Sequence, residues 1–256
     1  MVTTPAAQRA AVVPTPRKQK PVKFCGSSLE DLRDFPKAAM HDCGYQIDKV
    51  QNGEQPDNFK PMPVVGKGVE EICVTDDDGW FRVLYTARLA DYVYVLHASE
   101  EDEPDLTKRH RTWEEAVQGI DGLPLCKGFQ MNTTSARKTA HPRKAPVVAL
   151  AKHRPAKKAP VREVAKVFAS VFDAVADTEE EAANLKARAE LARQITASFR
   201  ERGWTQEEAA RHCRVTQPRI SDLMNGRISK FSLDALVNIA SSLGRVSVEL
   251  RELEPA

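Results

Sequence analysis

Residues 204–223 read WTQEEAARHCRVTQPRISDL and decide the fold of the C-terminal part of the chain. Thr205 and Glu208 have the spacing of a capping box, so we expect a helix to begin directly after Thr205. A short turn then leads to Thr216, which is predicted to cap a further helix with Pro218 in its first turn, where proline is tolerated. Two capped helices joined by so short a turn are typical of a helix-turn-helix.

Polar side chains occupy the first turn of the second of these helices, whereas Ile220 and Leu223 share its inner face. In the major groove a glutamine can pair with adenine and an arginine with guanine, each pair contributing about 1–3 kcal/mol of base discrimination. The alternative is a small helical bundle with ordinary polar surface residues. The predicted DNA-contacting residues are Thr205, Gln206, Thr216, Gln217, Pro218, Arg219, Ser221, Arg227 and Lys230.

Within that set the residues are expected to play different parts. Gln217 and Arg219 are predicted to read bases, with Ser221 next to them. Arg227 and Lys230 are predicted to touch phosphates, which fixes the register on DNA without reading sequence. For these two cations, the alternative is that they are simply solvated charges.

Flanking patterns extend the helical region on both sides. Thr178 and Glu181 form another capping-box pattern at the start of a helix that runs to Gly203, and a short helix is expected over residues 167–175. A fourth helix is predicted between Ser232 and Gly244. Alternating residues 246–250 then predict a half-buried strand, and because a lone strand usually finds a partner, we expect a homodimer.

Residues 22–98 have the pattern of a compact α+β unit. A strand over residues 22–25 precedes a helix at Ser28 and a second helix after Pro36, on which apolar residues recur at three-to-four spacing. Three strands are predicted over residues 69–75, 80–88 and 92–97, and the Asp78-Gly79 step between the first two indicates a hairpin. We expect a small antiparallel sheet with two helices on one face.

The segments outside these two units lack apolar periodicity. Residues 1–21 are predicted to be a disordered leader, and residues 99–163 a disordered linker that begins with an acidic run. From Cys126 to Lys166 there are eleven Lys or Arg residues against one acid, in a Lys/Ala/Pro tract that should attract polyanions. The two domains are therefore expected at 22–98 and 164–256.

Composition narrows the class of protein. The chain of 256 residues suggests two domains, and no apolar run is long enough to span a membrane. Five cysteines without a C-x-x-C pair imply neither a disulfide framework nor a zinc site. We expect a cytoplasmic protein without a metal or cofactor.

The helix-turn-helix segment resembles a known family. Residues 203–210, GWTQEEAA, and 215–223, VTQPRISDL, are similar to the XRE family and close to HigA-type antitoxins. The resemblance covers residues 167–253. It implies a dimeric repressor that binds its own promoter and neutralises a cognate toxin.

The N-terminal unit resembles that toxin, a HigB-type member of the RelE/ParE superfamily. The similarity rests on GSSLEDLRDFP at 26–36, GYQI at 44–47, KPM at 60–62, GVEEI at 68–72, FRVLY at 81–85 and YVLH at 94–97. It implies a ribosome-associated mRNA endonuclease that holds phosphate charge on a sheet. By position, Arg82 would be the phosphate-binding arginine, with Lys60, Lys67 and Tyr85 as weaker candidates. The alternative reading of these three is exposed lysines and a core tyrosine.

The departure from the toxin family comes after Ala98. The family continues with a basic Phe-x-Lys-Lys segment and a final helix, whereas here the run is Glu100-Glu101-Asp102-Glu103, which should repel RNA. If codons 100–102 are GAA-GAA-GAC, the frame one base later encodes Lys-Lys-Thr. The sequence therefore suggests the hypothesis that a frameshift near Ser99 replaced the end of the toxin and fused it to the antitoxin.

Three functions remain open. The first is an operator-binding repressor whose toxin half is catalytically dead. The second is an enzyme, an mRNA endoribonuclease that is self-inhibited by its tethered antitoxin and would have mRNA and the ribosome as partners. The third is a nonspecific nucleic-acid tether built on the Lys/Ala/Pro tract, whose affinity would fall steeply with salt and survive the loss of Arg219.

Overall fold

The computed structural model describes residues 19–63, 65–76, 79–87, 91–101 and 166–244. The predicted fold class is confirmed, because an antiparallel-rich sheet with helices precedes a helical C-terminal part. Most of the predicted leader, linker and Lys/Ala/Pro tract, and the predicted strand at 246–250, lie outside the described residues. Within the described ranges, no helix combines the length and apolar character needed to span a membrane.

The sheet has six strands in the order β2-β3-β4-β5-β1-β6. All neighbouring strands are antiparallel except β1 and β5, which are parallel. The predicted antiparallel sheet therefore also contains one parallel pair. Parallel neighbours need a crossover connection, which the two helices after β1 provide. The strands are β1 Val22–Phe24, β2 Phe59–Pro61, β3 Val69–Asp76, β4 Gly79–Thr86, β5 Val93–Glu101 and β6 Lys166–Phe168.

Two ends of the sheet differ from the sequence-based expectation. β5 continues to Glu101, so residues 99–101 of the predicted linker lie in the sheet opposite Arg82, Phe81 and Trp80. The helix expected from residue 167 is wrong at its start, because β6 pairs antiparallel with β1 and covers its outer edge. An apolar pair as short as Val167-Phe168 fits either the helix or the strand period, so periodicity could not decide.

Two helices cover one face of the sheet, as predicted. They are α1 (Ser28–Arg33) and α2 (Lys37–Gln51), and they share a hydrophobic core with the sheet residues Ile72 and Val83. The expected apolar face of α2 is buried, but so is every residue of α2 from Ala39 onward, including Asp42 and Asp48. A second body of protein must therefore cover the polar side of α2.

The C-terminal helices provide that cover. Their core is continuous with the core of the N-terminal half, since Phe172 is fully buried and its ring would lie 3.4 Å from a Cβ placed on Gly44 of α2. The two predicted domains thus share one hydrophobic core. The helices are α3 Val171–Val175, α4 Glu179–Arg202, α5 Gln206–Cys213, α6 Gln217–Met224 and α7 Leu233–Leu243, with a 3-10 turn at Ile228–Lys230.

Candidate nucleic-acid interface

The turn between α5 and α6 depends on caps at both ends of α5. The predicted capping box is confirmed: Thr205 Oγ1 accepts from the Glu208 N–H at 3.3 Å, and Glu208 Oε2 accepts from the Thr205 N–H at 2.8 Å. Helix α5 is followed by the C-cap residue Arg214, whose φ of 56° makes it the only non-glycine residue with a left-handed backbone in the described part of the chain. This conformation, usually taken by glycine, reverses the chain within two residues.

Helix α6 turns its apolar side inward and its N-terminal end outward. Ile220 and Leu223 are fully buried, while Gln217, Pro218 and Arg219 are exposed. The polar groups predicted to enter a groove therefore lie on the surface, at the end of the helix where base contacts are made in helix-turn-helix proteins.

Two contacts hold the exposed side chains in place. Gln217 Nε2 donates to Gln206 Oε1 at 2.5 Å, which joins the N-terminal ends of α6 and α5. The Arg219 guanidinium lies over the ring of Phe231, 4.9 Å from its centroid. Both contacts restrict rotation of the two predicted base-reading side chains, which lowers the entropy lost on binding.

Thr216 occupies the predicted N-cap position, but its side chain makes no capping hydrogen bond. Pro218 has no N–H to offer, and the Arg219 N–H is taken by the Thr216 carbonyl at 3.1 Å. Ser221 is partly exposed, and its hydroxyl accepts from Asn225 Nδ2 at 3.3 Å. The backbone start of α6 was thus predicted correctly, and its side-chain cap was not.

The two predicted phosphate contacts share one carboxylate. Arg227 Nη1 lies 3.0 Å from Asp222 Oδ1, and Lys230 Nζ lies 3.9 Å from Asp222 Oδ2. About a third of each cationic side chain is exposed, at 32% and 36%. The structure therefore brings both cations beside α6 and leaves part of each accessible.

The loop after α6 is fastened to α2 of the N-terminal half. Ser229 donates twice to Asp42, from its N–H at 2.8 Å and from its hydroxyl at 3.0 Å. Gln46 Nε2 donates to the Asn225 carbonyl at 3.5 Å. Gly226, with φ of 74°, approaches α2 so closely that an added Cβ would lie 2.0 Å from Gln46 Nε2.

Opposite charges line the rest of the contact between the halves. Arg193 on α4 pairs with Asp48 and Glu54, each at 3.4 Å, and Arg200 pairs with Asp57 at 3.4 Å. Cations on α4 thus meet carboxylates on and just after α2. Sequence reasoning missed this interface, because polar residues on one side of a helix are ordinarily read as solvated.

Arg82, the candidate phosphate-binding arginine, lies on the sheet face opposite α1 and α2. Its Nη1 is 2.9 Å from Glu71 Oε2, and the Glu71 side chain is almost fully buried. Lys60 is exposed on β2 directly across from Glu71. The structure therefore places Arg82 and Lys60 on one face, with a carboxylate between them.

The other two sheet candidates are not gathered there. Tyr85 points into the core shared with α1 and α2, and its hydroxyl donates to Glu70 Oε2 at 2.5 Å. Lys67 is exposed in the loop before β3. Of the four residues, only Arg82 and Lys60 share a face of the sheet.

Two family models match parts of the chain. Residues 30–106 match phage-derived Gp49-like proteins, and residues 174–251 match a family described as a helix-turn-helix domain. The chain joins a toxin-type domain to a helix-turn-helix domain. This combination indicates DNA binding and links the chain to toxin-antitoxin systems. No curated relative matches the chain.

Proposed function

We propose that the chain is a sequence-specific DNA-binding repressor of toxin-antitoxin type, whose fused toxin-type domain does not cleave RNA. The exposed N-terminal end of α6 carries this proposal. Its side chains lie on the surface, whereas the loop at its other end is packed on α2. A helix held at one end and open at the other can enter the major groove without disturbing the shared core.

The proposed contacts follow from chemistry and position. Gln217 pairs with adenine and Arg219 with guanine, and Gln206 keeps Gln217 in position. We assign the hydroxyl groups of Thr205, Thr216 and Ser221, at or near the N-terminal ends of α5 and α6, to contacts with the DNA backbone and neighbouring bases. The partly exposed cations Arg227 and Lys230 contact phosphates. A homodimer with two such helices would read two half-sites one helical turn apart.

The test is binding of the full chain to duplex DNA from the region upstream of its own coding sequence, followed by fluorescence anisotropy at several salt concentrations. Arg219→Ala is expected to weaken operator binding about 5- to 150-fold, the equivalent of 1–3 kcal/mol, with a much smaller effect on unrelated DNA. The matched control is Arg211→Ala, which removes the same charge from an exposed site on α5. Equal losses from both variants, on both DNAs, would refute base reading by Arg219.

The proposed absence of ribonuclease activity in the toxin-type domain is supported by an ion pair on the sheet face that carries Arg82. A cation that stabilises phosphate during cleavage acts on charge that develops in the transition state, and Arg82 here is ion-paired with Glu71. Induction of the full-length wild-type chain is therefore expected to cause no growth arrest, and arrest by full-length Glu71→Gln alone would show that this ion pair is what keeps Arg82 inactive. The hypothesis of a frameshift near Ser99 predicts Lys-Lys codons in the adjacent frame of the coding DNA, and their absence would contradict it.

A second candidate function is a self-inhibited mRNA endoribonuclease. The observation that favours it is that the C-terminal part of the chain packs directly on α2 of the toxin-type domain. Induction of full-length Gly226→Ala, which loosens that contact, distinguishes the two candidates. Growth arrest that disappears when Arg82→Ala is added would establish the ribonuclease, whereas normal growth with soluble protein supports the silent domain.

A further inference from the structure

Asp42 is a buried carboxylic acid at the junction between the two halves. Only 2% of the residue is exposed, and its oxygens accept from the N–H and the hydroxyl of Ser229. In the described part of the chain it forms no ion pair within 4.0 Å, unlike Asp48, which has Arg193, and Asp57, which has Lys49. A buried carboxylate without a counter-ion is costly, so this site favours the neutral acid.

The cations nearest to Asp42 are engaged by other groups. Arg188 of α4 donates through Nη2 to the Ile228 carbonyl. Arg227 is paired with Asp222 on α6. Each of these guanidinium groups attracts Asp42 from a distance, but neither satisfies its charge.

Among the remaining groups near Asp42, one carboxylate disfavours its ionisation and the others are neutral. Asp76, at the end of β3, adds a negative charge on the sheet side. The thiol of Cys73 and the hydroxyl of Thr75 line the same small cavity of about 110 Å³ as Asp42, together with Asn58. Arg227 lines this cavity too and attracts the carboxylate, so it is the burial of Asp42, together with the charge of Asp76, that favours the protonated form.

We propose that Asp42 is a proton-controlled latch between the halves: the neutral acid fastens the loop after the recognition helix to α2, and ionisation weakens that attachment. In the neutral form one oxygen still accepts from the Ser229 N–H, while the direction of the second hydrogen bond reverses, so that the acid O–H donates to the Ser229 hydroxyl oxygen. Both hydrogen bonds are kept and no charge is buried. The latch therefore makes the attachment of the loop after α6 to α2 depend on pH, whether or not DNA is bound.

The direction of the pH effect follows from linkage. Burial raises the pKa of Asp42 to about 7, against the opposing effect of the two Ser229 donors. In the unfolded chain the group ionises near its usual value of about 4. Folding therefore takes up a proton between these two values, so stability falls as pH rises through this window and levels off above about pH 7.

Two other groups on α2 also have shifted pKa values and must be separated from Asp42. Burial raises the pKa of Asp48 to about 6, with Arg193 opposing, and burial lowers the pKa of His41, which faces Glu181, Arg188 and Lys37. Because these contributions are present in the wild type and in an Asp42 variant alike, the difference between the two proteins isolates the latch.

The experiment compares the wild-type full chain with Asp42→Asn by urea unfolding from about pH 5 to about pH 8.5. The amide preserves the shape and both hydrogen bonds but cannot ionise. The wild type is expected to lose stability relative to the variant by close to tenfold in the unfolding equilibrium constant per pH unit up to about pH 7. Exposed Asp234→Asn is the matched control and should show no such trend.

A direct titration completes the test. The carboxyl carbon of Asp42, followed by NMR in the full chain, is expected to titrate near neutrality. A midpoint near the ordinary aspartate value, or a constant stability difference between the wild type and Asp42→Asn, would overturn the proposal. Failure of Asp42→Asn to fold would also overturn it, because that would mean that the charged form is the one required.

Discussion

Replacing Gly226 by alanine tests whether the loop after α6 packs closely against α2. The new Cβ would lie 2.0 Å from Gln46 Nε2, 2.8 Å from Asp57 Oδ2 and 3.0 Å from Tyr45 Cδ1. Gln46 cannot simply swing away, because its amide is held by Asp57 at both ends. The left-handed backbone adds about 1–2 kcal/mol of strain and the overlap about 1–3 kcal/mol, so we expect a loss of about 3–4 kcal/mol.

Gly203→Ala is the matched control for this substitution. Gly203 also has a left-handed backbone, with φ of 64°, but no atom lies within 4 Å of its added Cβ. It should therefore show the strain alone, about 1–2 kcal/mol. Urea unfolding of both full-length variants gives the difference directly, and adding Gln46→Ala should restore part of the stability lost by Gly226→Ala. Equal losses at the two glycines would refute the packing of this loop on α2.

Three further substitutions test the core, the ionic contact and the capping box, each by urea unfolding of the full chain. Phe172→Ala should cost about 3–5 kcal/mol in one cooperative transition, since the ring is fully buried in the shared core; two separate transitions would contradict that core. Arg193→Ala should cost about 3 kcal/mol by leaving Asp48 buried without its cation, and the cost should shrink in an Asp48→Asn background. Thr205→Ala should cost about 1 kcal/mol, whereas Thr216→Ala, which removes no capping bond, should cost almost nothing; similar losses would contradict the assigned caps.

The elements that could be predicted from the sequence are those specified by local signals. Thr178 and Thr205 accept the predicted capping hydrogen bonds, and the apolar positions of α2 are buried. The outward placement of Gln217 and Arg219 also followed from the sequence, because a three-to-four pattern assigns Ile220 to the opposite side. Local chemistry is sufficient for these features since each depends on residues within one helical turn.

The features that sequence reasoning missed depend on partners distant along the chain. Strand β6 forms by pairing with the free edge of β1, which lies about 145 positions earlier in the chain. The sequence of residues 166–168 does not indicate this pairing. The local sequence does not indicate that Asp42 and Asp48 are buried, because α4 and the loop after α6, which contact them, come much later in the chain. Arg214 takes a conformation for which glycine or asparagine is the usual signal.

The shared core changes how the toxin-type domain can be studied. Residues 166–175 supply the sixth strand of its sheet and the helix whose Phe172 packs on Gly44, so a fragment that ends before residue 166 lacks part of its own structure. Normal growth with such a fragment would report misfolding as readily as absence of a ribonuclease. Substitutions in the full chain avoid this ambiguity, because Glu71→Gln alters the charge beside Arg82 without removing any part of the core. Because the loop after α6 is hydrogen-bonded to α2, a displacement of α6 would also disturb α2.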